Sequence, residues 1–74
     1  MDYGFDRVGI MLRDMRIKRH MTQHELSVKS GVDQAVILRI ERGDTVPNLN
    51  TVKRMAHGMN YTLMMTYMTE MGDN

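Results

Sequence analysis

The chain has 74 residues, no cysteine and a formal net charge of +1 at pH 7. That length confines it to one domain, and the lack of cysteine excludes disulfides, thiolate metal sites and a cysteine nucleophile. A chain this short buries only about 60% of the surface its unfolded form exposes, so a second subunit would add stability.

The first residues lack the basic-then-apolar order of a signal peptide, and no run reaches the apolar length of a membrane span. The expectation is a soluble cytoplasmic protein with no membrane partner. Net charge hides an uneven distribution. All ten Lys and Arg lie between Arg7 and Arg54, together with Asp14, Glu25, Asp33, Glu41 and Asp44. That span is +5 (ten minus five), and Asp2, Asp6, Glu70 and Asp73 make the termini −4. A basic middle suits a polyanionic partner, although on charge alone a solvated face of mixed sign is the better explanation.

In chain order, Val8, Met11, Leu12 and Met15 recur at helical spacing within residues 6–19. Thr22 and Glu25 then form the S/T-x-x-E capping box that opens a second helix. Leu26 is its buried residue, Ser27 is small, and Gly31 ends it at a position needing positive φ. Asp33 is a candidate cap for a third helix over 34–42, with Ile37 and Ile40 inward and Gly43 as the stop. After a loop through Pro47, Asn48 caps a fourth helix to about Met59, with Leu49, Val52, Met55 and Ala56 as its apolar side. From Asn60 the period changes. Tyr61, Leu63, Met65 and Tyr67 alternate with Thr62, Met64, Thr66 and Met68, which is strand spacing in a Thr- and Tyr-rich segment. The chain offers this strand no partner strand, so its backbone groups need a helix-covered edge, water or the same strand of another subunit, and the last is the expectation. The domain reading is one unit over 1–74, with a helical core at 6–59 and a dimerisation strand at 60–68.

Two short helices joined by a tight glycine turn make a helix-turn-helix. Counted from Gln23, Ser27 falls at the fifth place, Gly31 at the ninth, Ile37 at the fifteenth and Ile40 at the eighteenth. The small residue allows close approach, the glycine turns the chain, and the aliphatics hold the second helix to the core. On geometry the outward face of that helix is Gln34, Ala35, Leu38, Arg39 and Arg42. Gln34 can offer a bidentate amide to adenine, Ala35 and Leu38 can touch thymine methyls, and Arg39 can reach guanine or a phosphate. Gln23, at the start of the preceding helix, suits a backbone phosphate. Arg13, Lys18, Arg19, Lys29 and Lys53 read as solvated cations.

The run from Leu12-Arg13 through RIKRHMTQHELSVKSGVDQAVILRIERGDTVPNLNTVKRMA resembles the phage repressor and Cro-type helix-turn-helix family. Arg16, the Thr22-Gln23-x-Glu25-Leu26 start, Gly31-Val32, Ile37, Arg39, Glu41-x-Gly43 and Pro47 carry the likeness. His20 stands where glycine is usual, and Ala35, Val36 and Leu38 are less polar than the pattern. The resemblance implies an all-α, four-to-five-helix, lambda-repressor-like domain whose third helix enters the major groove of double-stranded DNA. It also implies an internal ion pair between Arg16 and Glu41. With the C-terminal strand added, the chain looks like antitoxins of the HipB type, whose strands pair across a homodimer and which bind a toxin protein as well as repressing their own operon.

Other chemistries find little footing. His20 and His24 straddle the cap at Thr22 and so do not share a helix face, which leaves no metal site. The methionines, six of ten of them at 55, 59, 64, 65, 68 and 71, read as adaptable packing rather than a copper(I) site. No catalytic Ser/His/Asp pattern, phosphate-cradling glycine loop or carboxylate cluster is present, so neither an enzyme nor a cofactor is expected. The expectation is a homodimeric transcriptional repressor on a palindromic operator, in a toxin–antitoxin operon or as a phage-type repressor. The alternative is the same fold used as a protein-interaction module, for which apolar Ala35, Val36 and Leu38 speak.

Overall fold

Four helices make up most of residues 7–61, the part of the chain that the computed structural model describes. They are α1 (Val8–Lys18), α2 (Gln23–Ser30), α3 (Gln34–Arg42) and α4 (Leu49–Gly58). No strand occurs among the described residues. Residues 62–68 of the expected strand, with Leu63, Met65 and Tyr67, lie outside them. The whole-chain domain reading is likewise covered only over 7–61.

α2 and α4 begin at side-chain caps. The Thr22 hydroxyl accepts from the Glu25 N–H at 3.0 Å, and the Thr22 N–H donates to the Glu25 carboxylate at 2.8 Å. Asn48 accepts from the Thr51 N–H at 2.8 Å. Asp33 occupies the cap position of α3, but its side chain makes no cap hydrogen bond. The amide it would take, that of Val36, is already held by the Asp33 carbonyl at 2.9 Å.

All four helices end on a left-handed residue: His20, Gly31, Gly43 and Asn60. For α1 the Schellman pair is complete, with the His20 N–H on the Ile17 carbonyl and the Met21 N–H on that of Arg16. Asn60 and Tyr61 close α4 in the same way, the Tyr61 N–H donating to the Ala56 carbonyl at 2.9 Å. Tyr61 therefore belongs to a helix terminus, and its N–H is not available to a sheet.

Leu12, Leu26, Val32, Ile37, Ile40, Val52, Met55 and Met59 form the buried cluster. α2 packs on α3 and α4, and α1 packs on α3 and, less extensively, on α4. Burying a Leu, Ile, Val or Met side chain is worth about 1.5–3 kcal/mol, so eight such side chains dominate the stability of this unit. Leu49 departs from the expected apolar side of α4. It is 50% exposed because it is the first residue of the helix, one turn short of Val52 where contact with the core begins.

Close backbone approach is made at glycines rather than at Ser27, which is only half-buried. A Cβ on Gly9 would overlap the Ile40 carbonyl oxygen, so α1 sits directly on the backbone of α3. A Cβ on Gly58 would lie 2.9 Å from the Ser30 Cβ, which locks α4 to the end of α2.

Candidate nucleic-acid interface

The second helix of the helix-turn-helix is pinned from below. Ile37 and Ile40 are fully buried and Val36 is half-buried, so the opposite side of α3 faces solvent. That side carries Gln34, Ala35, Leu38, Arg39 and Arg42, all exposed. Two turns of helix thus present two guanidiniums, a carboxamide and two apolar groups. This donor, acceptor and methyl-contacting set is one that base edges in the major groove can pair with.

Glu41, the last inward residue of α3, is 6% exposed and would be costly to leave unpaired. It is fully engaged. Arg16 meets it through two parallel hydrogen bonds, Nε to Oε2 and Nη2 to Oε1, each 2.8 Å. The remaining guanidinium nitrogen donates to the Met21 carbonyl at 2.8 Å. The hydrogen bond to Glu41 raises the Arg16 pKa above its already high ordinary value. The pair therefore ties α1, the α1–α2 turn and α3 together.

Gln23 joins this network, its Nε2 donating to Glu41 Oε1 at 3.0 Å. One of its two amide hydrogens is thereby used internally, and the other is free for a phosphate. The start of α2 is a less open anion site than its position alone suggests. Glu25 sits within the first turn, and its hydrogen bond from the Thr22 N–H holds its carboxyl below the ordinary range, so it is ionised at neutral pH. A like charge there offsets part of the attraction of the helix N-terminus for phosphate.

Two neighbours of the face escaped the sequence reading. The ring Nδ1 of His24 lies 3.4 Å from Gln34 Oε1 and links the first turn of α2 to the first turn of α3. Arg13, read as a solvated cation, shares a groove of about 560 Å³ with Ile10, Leu38 and Arg42, floored by Arg16, Gln23 and Glu41. The signal for Arg13 was its spacing, because residues three apart on a helix share a face and Arg16 is the residue that reaches α3. Arg42 leans toward Asp44 (3.5 Å), with both side chains at least half exposed. Such a pair is worth about 0–1 kcal/mol and leaves Arg42 free to take another partner. Among the described residues no group of His, Asp and Glu is arranged to hold a metal.

The family model described as helix-turn-helix matches residues 12–64, well over half of the chain. The chain belongs to the helix-turn-helix family. The expected likeness to phage repressor-type helix-turn-helix proteins thus stands on the family match as well as on the motif. Two relatives are similar to it across most of its length. An uncharacterized HTH-type transcriptional regulator, y4dL, from Sinorhizobium fredii (strain NBRC 101917 / NGR234) is 32% identical over 65 residues, covering 88% of this chain and 33% of that protein. The ImmF control region 10 kDa protein of Bacillus phage phi105 is 30% identical over 64 residues, covering 86% of this chain and 71% of that protein. The chain therefore spans about one third of the first relative and most of the second. No solved structure gives a significant match. Among the described residues no helix is long and apolar enough to cross a membrane.

Proposed function

We propose that this helix-turn-helix protein is a sequence-specific DNA-binding transcriptional regulator acting as a homodimeric repressor. The observation that carries the reading is the exposed face of α3. Gln34, Arg39 and Arg42 stand on a helix whose other side is held by Ile37, Ile40 and the Glu41–Arg16 pair. Arg39 takes guanine O6 and N7, Gln34 takes adenine N6 and N7, and Ala35 and Leu38 meet thymine methyls. Arg42, Arg13 and the free amide hydrogen of Gln23 contact phosphates and set the register. The names of both relatives, a regulator and a control-region protein, support this direction. The phage relative favours a phage-type repressor over the autorepressor antitoxin of a toxin–antitoxin operon.

A two-fold dimer would place two copies of α3 about 34 Å apart, one turn of DNA, and the segment after Tyr61 supplies the pairing strand in this proposal. Deleting residues 62–74 then abolishes dimerisation in sedimentation equilibrium, and a truncated chain that dimerises like the full one refutes that arrangement. The competing reading, a protein-interaction module, draws on Leu38 being 40% exposed beside exposed Ile10. Gel-shift titration on duplexes from the DNA flanking the gene separates the two. The regulator binds one duplex at least a hundredfold more tightly than scrambled competitor, whereas the module binds all duplexes alike.

A further inference from the structure

A second concavity lies away from the exposed face of α3. It measures about 340 Å³ and is formed by the C-terminal end of α2 and the exposed side of α4, with Lys29, Ser30, Lys53, Arg54, His57 and Tyr61 on its walls. No α3 residue lines it. The α3 face adjoins the other end of α2 through Gln23 and His24, about 10 Å away at 1.5 Å per residue. We propose that this cleft is a binding site for a small organic phosphate, separate from the DNA-reading face.

Charge is the first argument. Lys29, Lys53 and Arg54 converge on one cleft, and among the described residues no carboxylate lines it. Among the described residues Lys53, Arg54 and His57 make no ion pair or hydrogen bond through their side chains, and Lys29 has Glu25 one turn earlier on α2. A further cation, Arg19, lies with its Cζ 4.1 Å from the centre of the Tyr61 ring. The carbonyl end of α2 opposes an anion here with roughly half an elementary charge. Three cations outweigh it.

Shape and lining make the ligand organic. The cleft falls at the small end of the usual range for small-molecule sites, about 300–1,000 Å³, which accommodates a phosphate and one ring. The Tyr61 ring and the aliphatic stems of the basic side chains supply apolar wall, while Ser30 and the cationic heads supply donors suited to phosphate oxygens. A phosphate of the DNA backbone has the same chemistry, so the test must separate the two sources. The proposal does not depend on α3 reading DNA.

The experiment is a titration of the full chain, labelled with 15N, by phenyl phosphate and by inorganic phosphate at constant ionic strength. Wild type is compared with the double variant Lys53→Gln/Arg54→Gln and with Lys29→Gln. All three side chains are exposed, so the core is untouched, and circular dichroism verifies folding. Expected are saturable shifts centred on Lys29, Ser30, Lys53, His57 and Tyr61, with phenyl phosphate at least tenfold tighter than inorganic phosphate. Each variant weakens phenyl phosphate at least tenfold while changing affinity for duplex DNA less than threefold. Shifts that spread over every basic residue without saturating overturn the proposal. So does a double variant that loses DNA affinity as fully as phosphate affinity, because the cleft then belongs to the DNA backbone.

Discussion

Arg16 makes three hydrogen bonds from one guanidinium, and its partner Glu41 accepts from both Arg16 and Gln23. With side-chain exposures of 12% and 3%, the pair sits where removing one member strands the other. Arg16→Ala should therefore cost about 3 kcal/mol, the low end for broken buried pairs, and lower the melting temperature by more than about 10 °C in a domain of this size. Replacing both residues by Met and Leu should cost clearly less than the single change, since no charge is then left unpaired. Thermal melts in which the single and double variants fall equally would show the pair to be independent of its burial.

Glu25 gives a pH signature. Its folded pKa lies below the ordinary value of about 4.3. The capping box thus contributes fully above that ordinary value, and its contribution is lost as pH falls through the lowered one. A carboxyl titration by NMR should place the Glu25 midpoint below that of free glutamate. Glu25→Gln, which keeps the box, should remove this part of the acid dependence. A midpoint at or above the free value would contradict the capping geometry.

At the scale of the element, the ends and crossings of helices were unevenly legible in the chain. Thr22-x-x-Glu25, Gly31, Gly43 and Asn48 announced their helix boundaries because capping is local chemistry that leaves a local pattern. The inward set Leu26, Ile37, Ile40, Val52 and Met55 followed from period alone. Asp33 holds the cap position of α3 as read, but its side chain makes no cap bond, because its own carbonyl already holds the Val36 amide. Leu49 looked like core and is half exposed, because period cannot say at which turn a helix meets its neighbour. The pairing of Arg16 with Glu41, 25 residues apart, came from family resemblance and not from spacing. The crossing contacts at Gly9 and Gly58 were invisible, since nothing in a sequence says which glycine another backbone touches.

Two substitutions probe these elements. His20 holds φ at +56°, where a side chain costs about 1–2 kcal/mol. His20→Gly should accordingly raise the melting temperature by several degrees, and an unchanged or lower value would mean that the His20 ring contributes elsewhere. Gly9→Ala should destabilise by about 1–3 kcal/mol, more than offsetting the gain of up to about 1 kcal/mol in helix propensity, because the new methyl meets the backbone of Ile40 and not a side chain that could move aside. Denaturant unfolding of Gly9→Ala at wild-type stability would show that α1 can shift off α3.

On the scale of the whole molecule, the basic middle of the chain divides in two. Arg13, Arg39 and Arg42 gather around the exposed side of α3, while Lys29, Lys53 and Arg54 gather on the cleft between α2 and α4. Composition could show only their sum. The fold separates them because α2 lends its first turn to one face and its last turn to the other. That division makes the central claim specific: base identity is read by α3, and other basic residues add only position or affinity.

Selection of binding sites from randomised duplex DNA, run in parallel with wild type, Gln34→Ala and Arg39→Ala, measures this directly. Wild type should enrich a two-fold symmetric site with half-sites about 34 Å apart. Each variant should lose its preference at one base pair per half-site, by about 1–3 kcal/mol, and keep it at the others. Base preferences unchanged at every position in both variants would contradict the claim that α3 reads the DNA.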